Sequence, residues 1–264
     1  MSSTAPVCLI TGASSGIGAA LAREFAQHGH PLVLVARRTD ELARLADQIA
    51  ASGHPRPTLI GADLAKPGSG AELADAIRAG RLEVSILVNN AGFGLLGEAA
   101  ASDLASQLGI IDLNARAITD LTLRFLDSIV RHKGAILNVS SIAAFMPGPG
   151  MAVYHATKAY TLSFTEALHA ELKGDGVKVC ALCPGPVPTA FFHRAGLPTK
   201  YFPDFLARPA DRVAREGYAG LMGGHRVVVP GTVNRIITVL PRLVPRWLVL
   251  AVMARRWRRH ARGG

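Results

Sequence analysis

Short apolar runs rich in Val, Ile and Leu recur along the chain at residues 7–10, 32–36, 58–60, 86–89, 135–139, 177–182 and 226–229. They show little polar alternation, so both faces of each are expected to be covered, as in a parallel sheet between helices. Between them lie amphipathic stretches, of which 17–28 and 39–51 are the clearest. Their apolar positions are spaced for one face of a helix. Alternation of this kind predicts an α/β fold with a single doubly wound, parallel, seven-stranded sheet and helices on both faces. No linker, low-complexity segment or repeat interrupts the pattern. It divides the chain into a body, residues 1–230, and a C-terminal extension, residues 231–264.

Length changes little in this picture: 264 residues suit one large domain. Charge changes more. Lys plus Arg is 29 and Asp plus Glu is 19, a net +10, and five arginines (255, 256, 258, 259 and 262) fall in the last ten residues. An excess of this sign favours acidic partners such as phosphates, anionic lipid or an acidic carrier. Arg clusters alone do not specify nucleic acid, and no such partner is expected. In the extension, apolar residues are broken by Arg235, Arg242, Arg246 and two prolines. No charge-free run there approaches the roughly 20 residues of a spanning helix. The extension therefore fits either an interfacial segment on anionic lipid or an arm docked on the subunit or its neighbour. Docking is preferred for its apolar part, with a peripheral contact to anionic membrane reserved for the Arg cluster.

The chain enters its first strand without the basic start and apolar stretch of a signal peptide, so a cytoplasmic setting is expected, at most peripheral to the inner membrane face. Cys8 and Cys180 sit in apolar runs, and Cys183 precedes Pro184-Gly185. They read as buried strand cysteines rather than a redox or metal pair, and no metal site is expected.

The first strand leads straight into Thr11-Gly12-Ala13-Ser14-Ser15-Gly16-Ile17-Gly18, which opens the first helix. Glycines let a backbone turn tightly and approach a pyrophosphate. The helix N-terminus then offers free N–H groups to the anion. The second strand ends Ala36-Arg37-Arg38, where an NAD enzyme usually carries an acid for the ribose 2′-hydroxyl. Guanidinium groups would instead grip a 2′-phosphate, which points to NADP(H).

These motifs, with Asp63-Leu64, Asn89-Asn90-Ala91-Gly92, Asn114, Ser140-Ser141, Tyr154-x-x-x-Lys158 and Pro184-Gly185 with Thr189, stand in a familiar order. The chain resembles the short-chain dehydrogenase/reductase family over about residues 5–230, and with it a Rossmann-type dinucleotide fold. In the extension it resembles bacterial reductases of that family with a similar Pro-Gly-started tail. The resemblance implies that Asp63 lies near the adenine and Asn90 near its ribose. It implies that Asn89 braces strand ends and that Thr189 holds the nicotinamide carboxamide or a phosphate. Leu64, Ala91, Gly92, Pro184, Gly185 and Val187 join the cofactor site on the same ground. Lys158 would hold the nicotinamide ribose.

Some chemistry follows from the residues themselves. Tyr154 and Lys158 are four apart and share one helix face. A free phenol has a pKa of about 10, and a nearby ammonium and the oxidised nicotinamide should both lower it, making Tyr154 the general acid in reduction and the base in oxidation. The family's spacing selects Ser141 to hydrogen-bond the substrate oxygen, and the resemblance gives Asn114 a water that relays protons to Lys158. Phe191, Phe192, Tyr201, Phe202 and Phe205 cluster after Thr189. They form either a lid over a bulky apolar substrate (a ketone, a steroid-like ring or an acyl group) or simple packing. The expectation is an NADP(H)-dependent oxidoreductase acting on a small-molecule carbonyl or alcohol. The alternative is a catalytically silent NADP(H) sensor or scaffold. A homodimer or homotetramer is expected, through second apolar faces on the Asn114 and Tyr154 helices that include Leu121, Phe125, Leu162 and Phe164.

Overall fold

The computed structural model describes residues 4–198 and 202–261. Tyr201 of the aromatic cluster and Arg262 of the tail lie outside that range. Seven strands form one all-parallel sheet: β1 (Ala5–Thr11), β2 (Leu32–Ala36), β3 (Thr58–Gly61), β4 (Leu82–Asn89), β5 (Ala135–Val139), β6 (Lys178–Leu182) and β7 (Val227–Val228). Their order is β3-β2-β1-β4-β5-β6-β7. This is the expected doubly wound sheet of Rossmann type. The winding reverses between β1 and β4, and such a switch point opens a crevice at the carboxyl ends of the strands.

The helices are α1 (Gly16–Gln27), α2 (Thr39–Ala51), α3 (Ser69–Ala79), α4 (Leu104–Ile111), α5 (Ala117–Arg131), α6 (Ala152–Glu171), α7 (Ala190–Arg194), α8 (Ala210–Met222), α9 (Thr232–Leu243) and α10 (Arg246–Ala261). Helices α1, α2 and α8 bury Leu21, Phe25, Leu42 and Val213 on one side of the sheet, against Cys8 and Ile10. Helices α3, α5 and α6 bury Leu73, Leu121, Phe125 and Leu168 on the other, against Val7 and Leu9. Successive β1 residues thus feed opposite cores, which is why the strand reads as an unbroken apolar run.

Strand β4 begins four residues before its apolar run. Glu83 and Ser85 interrupt the hydrophobicity but are used locally. Ser85 donates to the Val7 carbonyl at 3.2 Å, and Glu83 pairs with Arg131 and His132. Between α4 and α5 the backbone forms a π turn at Asp112–Arg116 with Asn114 fully buried within it. The three cysteines are buried and free.

One expectation needs correcting. Leu121 and Phe125 are buried inside the subunit with Phe164 packed against the same core, and Leu162 is buried in a separate cluster with Ala181, Cys183 and Val229. They are the inward faces of α5 and α6, which must cover the sheet. The large apolar residues exposed on and just before these helices are Leu104, Leu108, Ile111, Leu123 and Tyr160.

Candidate active site

Between β1 and α1 the chain turns through Gly12 and Gly16, both with positive φ (66° and 59°). A Cβ on Gly12 would lie 2.8 Å from the Ala91 Cα, and one on Gly18 would run into the Asn90 amide and the Gly12 carbonyl. The loop is stapled to the end of β4 by hydrogen bonds. The Thr11 hydroxyl accepts from the backbone N–H of Asn90 and of Ala91, each at 3.0 Å, and donates to the Val88 carbonyl. Asn90 Nδ2 donates to the carbonyls of Thr11 and Gly12 at 2.9 and 3.2 Å. The Asn90 Nδ2 is thus committed to the loop, while Asn90 also lines the cavity described next. Thr11, read above only as part of a motif, is the centre of this staple. Asn89 braces strand ends as expected, donating to Asn138 and Thr122.

A continuous cavity of about 540 Å³ runs along the crevice. Its lining includes Gly12, Ser14, Ser15, Gly16, Ile17, Arg37, Arg38, Asp63, Leu64, Asn90, Ala91, Gly92, Ser141, Tyr154, Lys158, Pro184, Gly185, Val187 and Thr189. Gly18 and Asn114 do not line it: Gly18 packs beneath the loop, and Asn114 lies behind the wall. At the outer end Arg38 donates to the hydroxyls of Ser14 and Ser15 at 3.0 and 2.9 Å, and Arg37 stands 4.0 Å from Asp63. A third guanidinium, Arg194 of α7, lines the same cavity. Burial, Arg38 and Arg37 together lower its pKa. Its approach to the other two arginines is set by how α7 folds back, which no local motif announces.

At the inner end Lys158 is 5% exposed and donates to the Val139 carbonyl at 2.8 Å. Burial pushes its pKa down to about 8. Tyr154 runs opposite to the expectation: burial pushes its phenol up to about 12, with the neighbouring Ser141 hydroxyl pulling only part of the way back. Burial sets the direction and Lys158 takes no part in the shift; the extent of desolvation is something a spacing argument cannot weigh. The two serines are distinguished by their partners. Ser140 is buried and donates to the Lys158 carbonyl, whereas Ser141 stands beside Tyr154 at the cavity wall.

Asn114 is spent on structure. Its amide donates to the Phe93 carbonyl and to Thr157 Oγ1, and its Oδ1 accepts from the Phe93 N–H. A Cβ on Gly92 would lie 3.0 Å from that Oδ1 and 3.4 Å from Lys158 Nζ, so the two side chains flank Gly92 closely. Beside Tyr154 a wall of Met151, Phe191, Phe192, Leu197 and Phe202 closes the inner end. Phe205 does not join it and is 66% exposed. The extension contributes Ile237, Met253, Arg256 and Trp257 to the same lining, and Arg256 lies over the Phe202 ring at 5.1 Å. The arm is docked on the subunit, and its place in the cavity wall goes beyond what the sequence led one to expect.

The family profile described as short chain dehydrogenase matches residues 6–198. Serine 3-dehydrogenase of Agrobacterium fabrum is 35% identical over 185 residues, 69% of this chain and 72% of that protein. Among solved structures, a short-chain dehydrogenase from Sphingobium yanoikuyae in complex with NADPH is 32% identical with a TM-score of 0.80, covering 95% of this chain and 94% of its own. The part of this chain left uncovered is shorter than the extension, so the likeness runs into the C-terminal helices. The bulky-bulky ketone specific alcohol dehydrogenase from Comamonas testosteroni is 30% identical with a TM-score of 0.77, covering 91% and 92%.

Proposed function

Given that the chain belongs to the short-chain dehydrogenase family, a family of oxidoreductases acting on alcohols and carbonyls, we propose that it is specific for NADP(H) and for a bulky, apolar ketone or secondary alcohol. The observation that carries this reading is one cavity with two unlike ends. Three guanidiniums and a glycine cradle stand at one end, and Tyr154, Ser141 and an aromatic wall at the other.

The residues fit a dinucleotide. The space where Gly12 and Gly18 lack a Cβ is needed for the loop to lie flat on β4. A helix N-terminus at Gly16 then offers N–H groups to a pyrophosphate. Arg37, Arg38 and Arg194 suit a 2′-phosphate beyond it. The buried Lys158 ammonium has one hydrogen bond, to Val139, and so keeps donors for ribose hydroxyls. When bound, the nicotinamide supplies or accepts the hydride.

Tyr154 then gives its phenolic proton to the substrate oxygen during reduction and takes it back during oxidation. At about 12 the phenol is protonated at neutral pH, the state reduction requires. Ser141 hydrogen-bonds the same oxygen and stabilises negative charge as it develops. Asn114 is a positioning residue, holding Phe93 and Thr157 beside Lys158. The aromatic wall selects for apolar bulk, consistent with the ketone preference in the name of the Comamonas enzyme. A homodimer or homotetramer belongs to this reading, formed through Leu104, Leu108, Ile111, Leu123 and Tyr160 rather than through the buried Leu121, Phe125 and Leu162.

The test is Tyr154→Phe, which removes one oxygen and keeps the ring. NADPH affinity should persist while ketone reduction falls at least about 10²-fold. A variant reducing its best ketone within about threefold of the parent would show that the proton comes from elsewhere, well inside that expected contribution.

A further inference from the structure

Helix α9 packs inward through Asn234 and Thr238, which are 1% and 5% exposed, and reaches the cavity through Ile237. Its other face carries Ile236, Val239, Leu240 and Leu243, each at least half exposed. Their spacing of three, four and seven residues puts all four on one stripe. Helix α10 likewise meets both the cavity and the outside. Met253 and Trp257 face the cavity, while Trp247 is 71% and Val252 59% exposed. Scattered single apolar residues on a surface are ordinary, but a four-residue stripe on α9, with Trp247 and Val252 exposed on the next helix, marks a contact.

The same segment holds nearly all the net charge. No Asp or Glu follows Glu216, whereas nine arginines do. Residues 217–264 therefore carry +9 of the chain's +10. Arg246, Arg255 and Arg258 take no part in an ion pair among the described residues.

We propose that the outer face of α9 and α10 docks on a lipid bilayer bearing anionic headgroups. A second copy is the poorer occupant, because a two-fold contact would set this acid-free segment against itself. An apolar stripe with an arginine rim is instead the pattern of a helix lying in the membrane interface. No helix among the described residues is long and apolar enough to cross a membrane, so the arm rests on the surface. Helix α10 then has lipid on one side and the cavity on the other.

The test is co-sedimentation of the full chain with phosphatidylcholine vesicles, with and without phosphatidylglycerol. Binding should require phosphatidylglycerol, weaken with salt and shift the tryptophan emission to the blue. Leu240→Asp with Leu243→Asp should weaken binding at least tenfold while turnover of a water-soluble ketone is unchanged. Arg255→Ala with Arg258→Ala should weaken it about 25-fold, about fivefold per basic residue. Equal binding to neutral vesicles, or no binding to either kind, would overturn the proposal. So would unchanged vesicle binding by the Leu240/Leu243 variant, or a fall in its mass by light scattering, which would make the stripe a subunit contact. Sedimentation without any ketone reduction would support the docking surface and count only against the activity proposed above.

Discussion

Replacing Lys158 by Met should make the cofactor-free protein more stable while destroying its activity. Lys158 is 5% exposed, and burial lowers its pKa from 10.5 to about 8. A tenfold change in proton affinity is worth about 1.4 kcal/mol, so holding the ammonium in the fold costs about 3 kcal/mol at neutral pH. Met removes that cost and fills similar volume, but it forfeits the hydrogen bond to the Val139 carbonyl, worth about 1 kcal/mol. The net gain is about 2 kcal/mol, or roughly 4–8 °C in Tm for a chain of this size. The pH dependence gives the sharper check. The native pKa lies below that of the unfolded chain, so from pH 8 to 10.5 the unfolded chain binds more protons and parent stability rises with pH. The burial penalty is full below about 8 and gone above about 10.5. Tyr154 is common to both proteins, and its own effect above pH 10 cancels in the difference. Urea unfolding from pH 7 to 10.5 should therefore show the variant's advantage shrinking and then reversing slightly. A Met variant less stable than the parent at pH 7, or a difference flat with pH, would show that the buried ammonium is compensated by something other than Val139.

Three further outcomes bear on the rest of the site. Arg38→Ala should weaken NADPH about 10–100-fold, the size of a lost charge-assisted hydrogen bond or two, and leave NADH within about threefold. Fluorescence titration with both cofactors measures this, and equal losses would remove Arg38 from the 2′-phosphate site. Thr11→Val keeps the shape but leaves the Asn90 and Ala91 N–H groups without their acceptor. Urea unfolding should show a loss of about 2 kcal/mol or more. Leu108→Asp with Leu123→Asp should lower the mass seen by light scattering, whereas an unchanged mass would place the subunit contact elsewhere.

The strands were legible because a sheet covered on both faces admits no polar alternation, and β2 and β5 run unbroken over the residues anticipated. The start of β4 was not, since Glu83 and Ser85 meet their partners only across the fold. Within the site, Tyr154, Lys158, Ser141 and the glycine loop were legible because local spacing carries their geometry. Arg194 was not, because its neighbours are some 150 residues away in the chain. The direction in which the Tyr154 pKa moves was missed for a related reason: the charge of Lys158 can be read from a sequence, whereas the extent of desolvation depends on everything folded around the phenol.

The extension is the clearest case of what composition conceals. Its apolar and basic residues suggested an appendage beginning at residue 231, yet its contacts are with the parts of the body closest to the chemistry. Asn234 is buried against Gly185, where a Cβ would strike its amide group, and donates to the carbonyls of Leu206 and Pro230. Gly150 has φ of +81°, and the Trp257 ring occupies the space a Cβ would need. Both contacts are paired with glycines in the body, so close approach was built from both sides. A side chain at either glycine would push the arm away and open the wall beside Tyr154. The same two helices therefore have to satisfy three demands at once: packing on the Pro184–Gly185 turn, lining the cavity, and presenting an apolar and basic outer face. On α9 the apolar stripe faces outward and the polar Asn234 and Thr238 face the body, the reverse of the helices that cover the sheet, so its amphipathic pattern alone could not show which face docks.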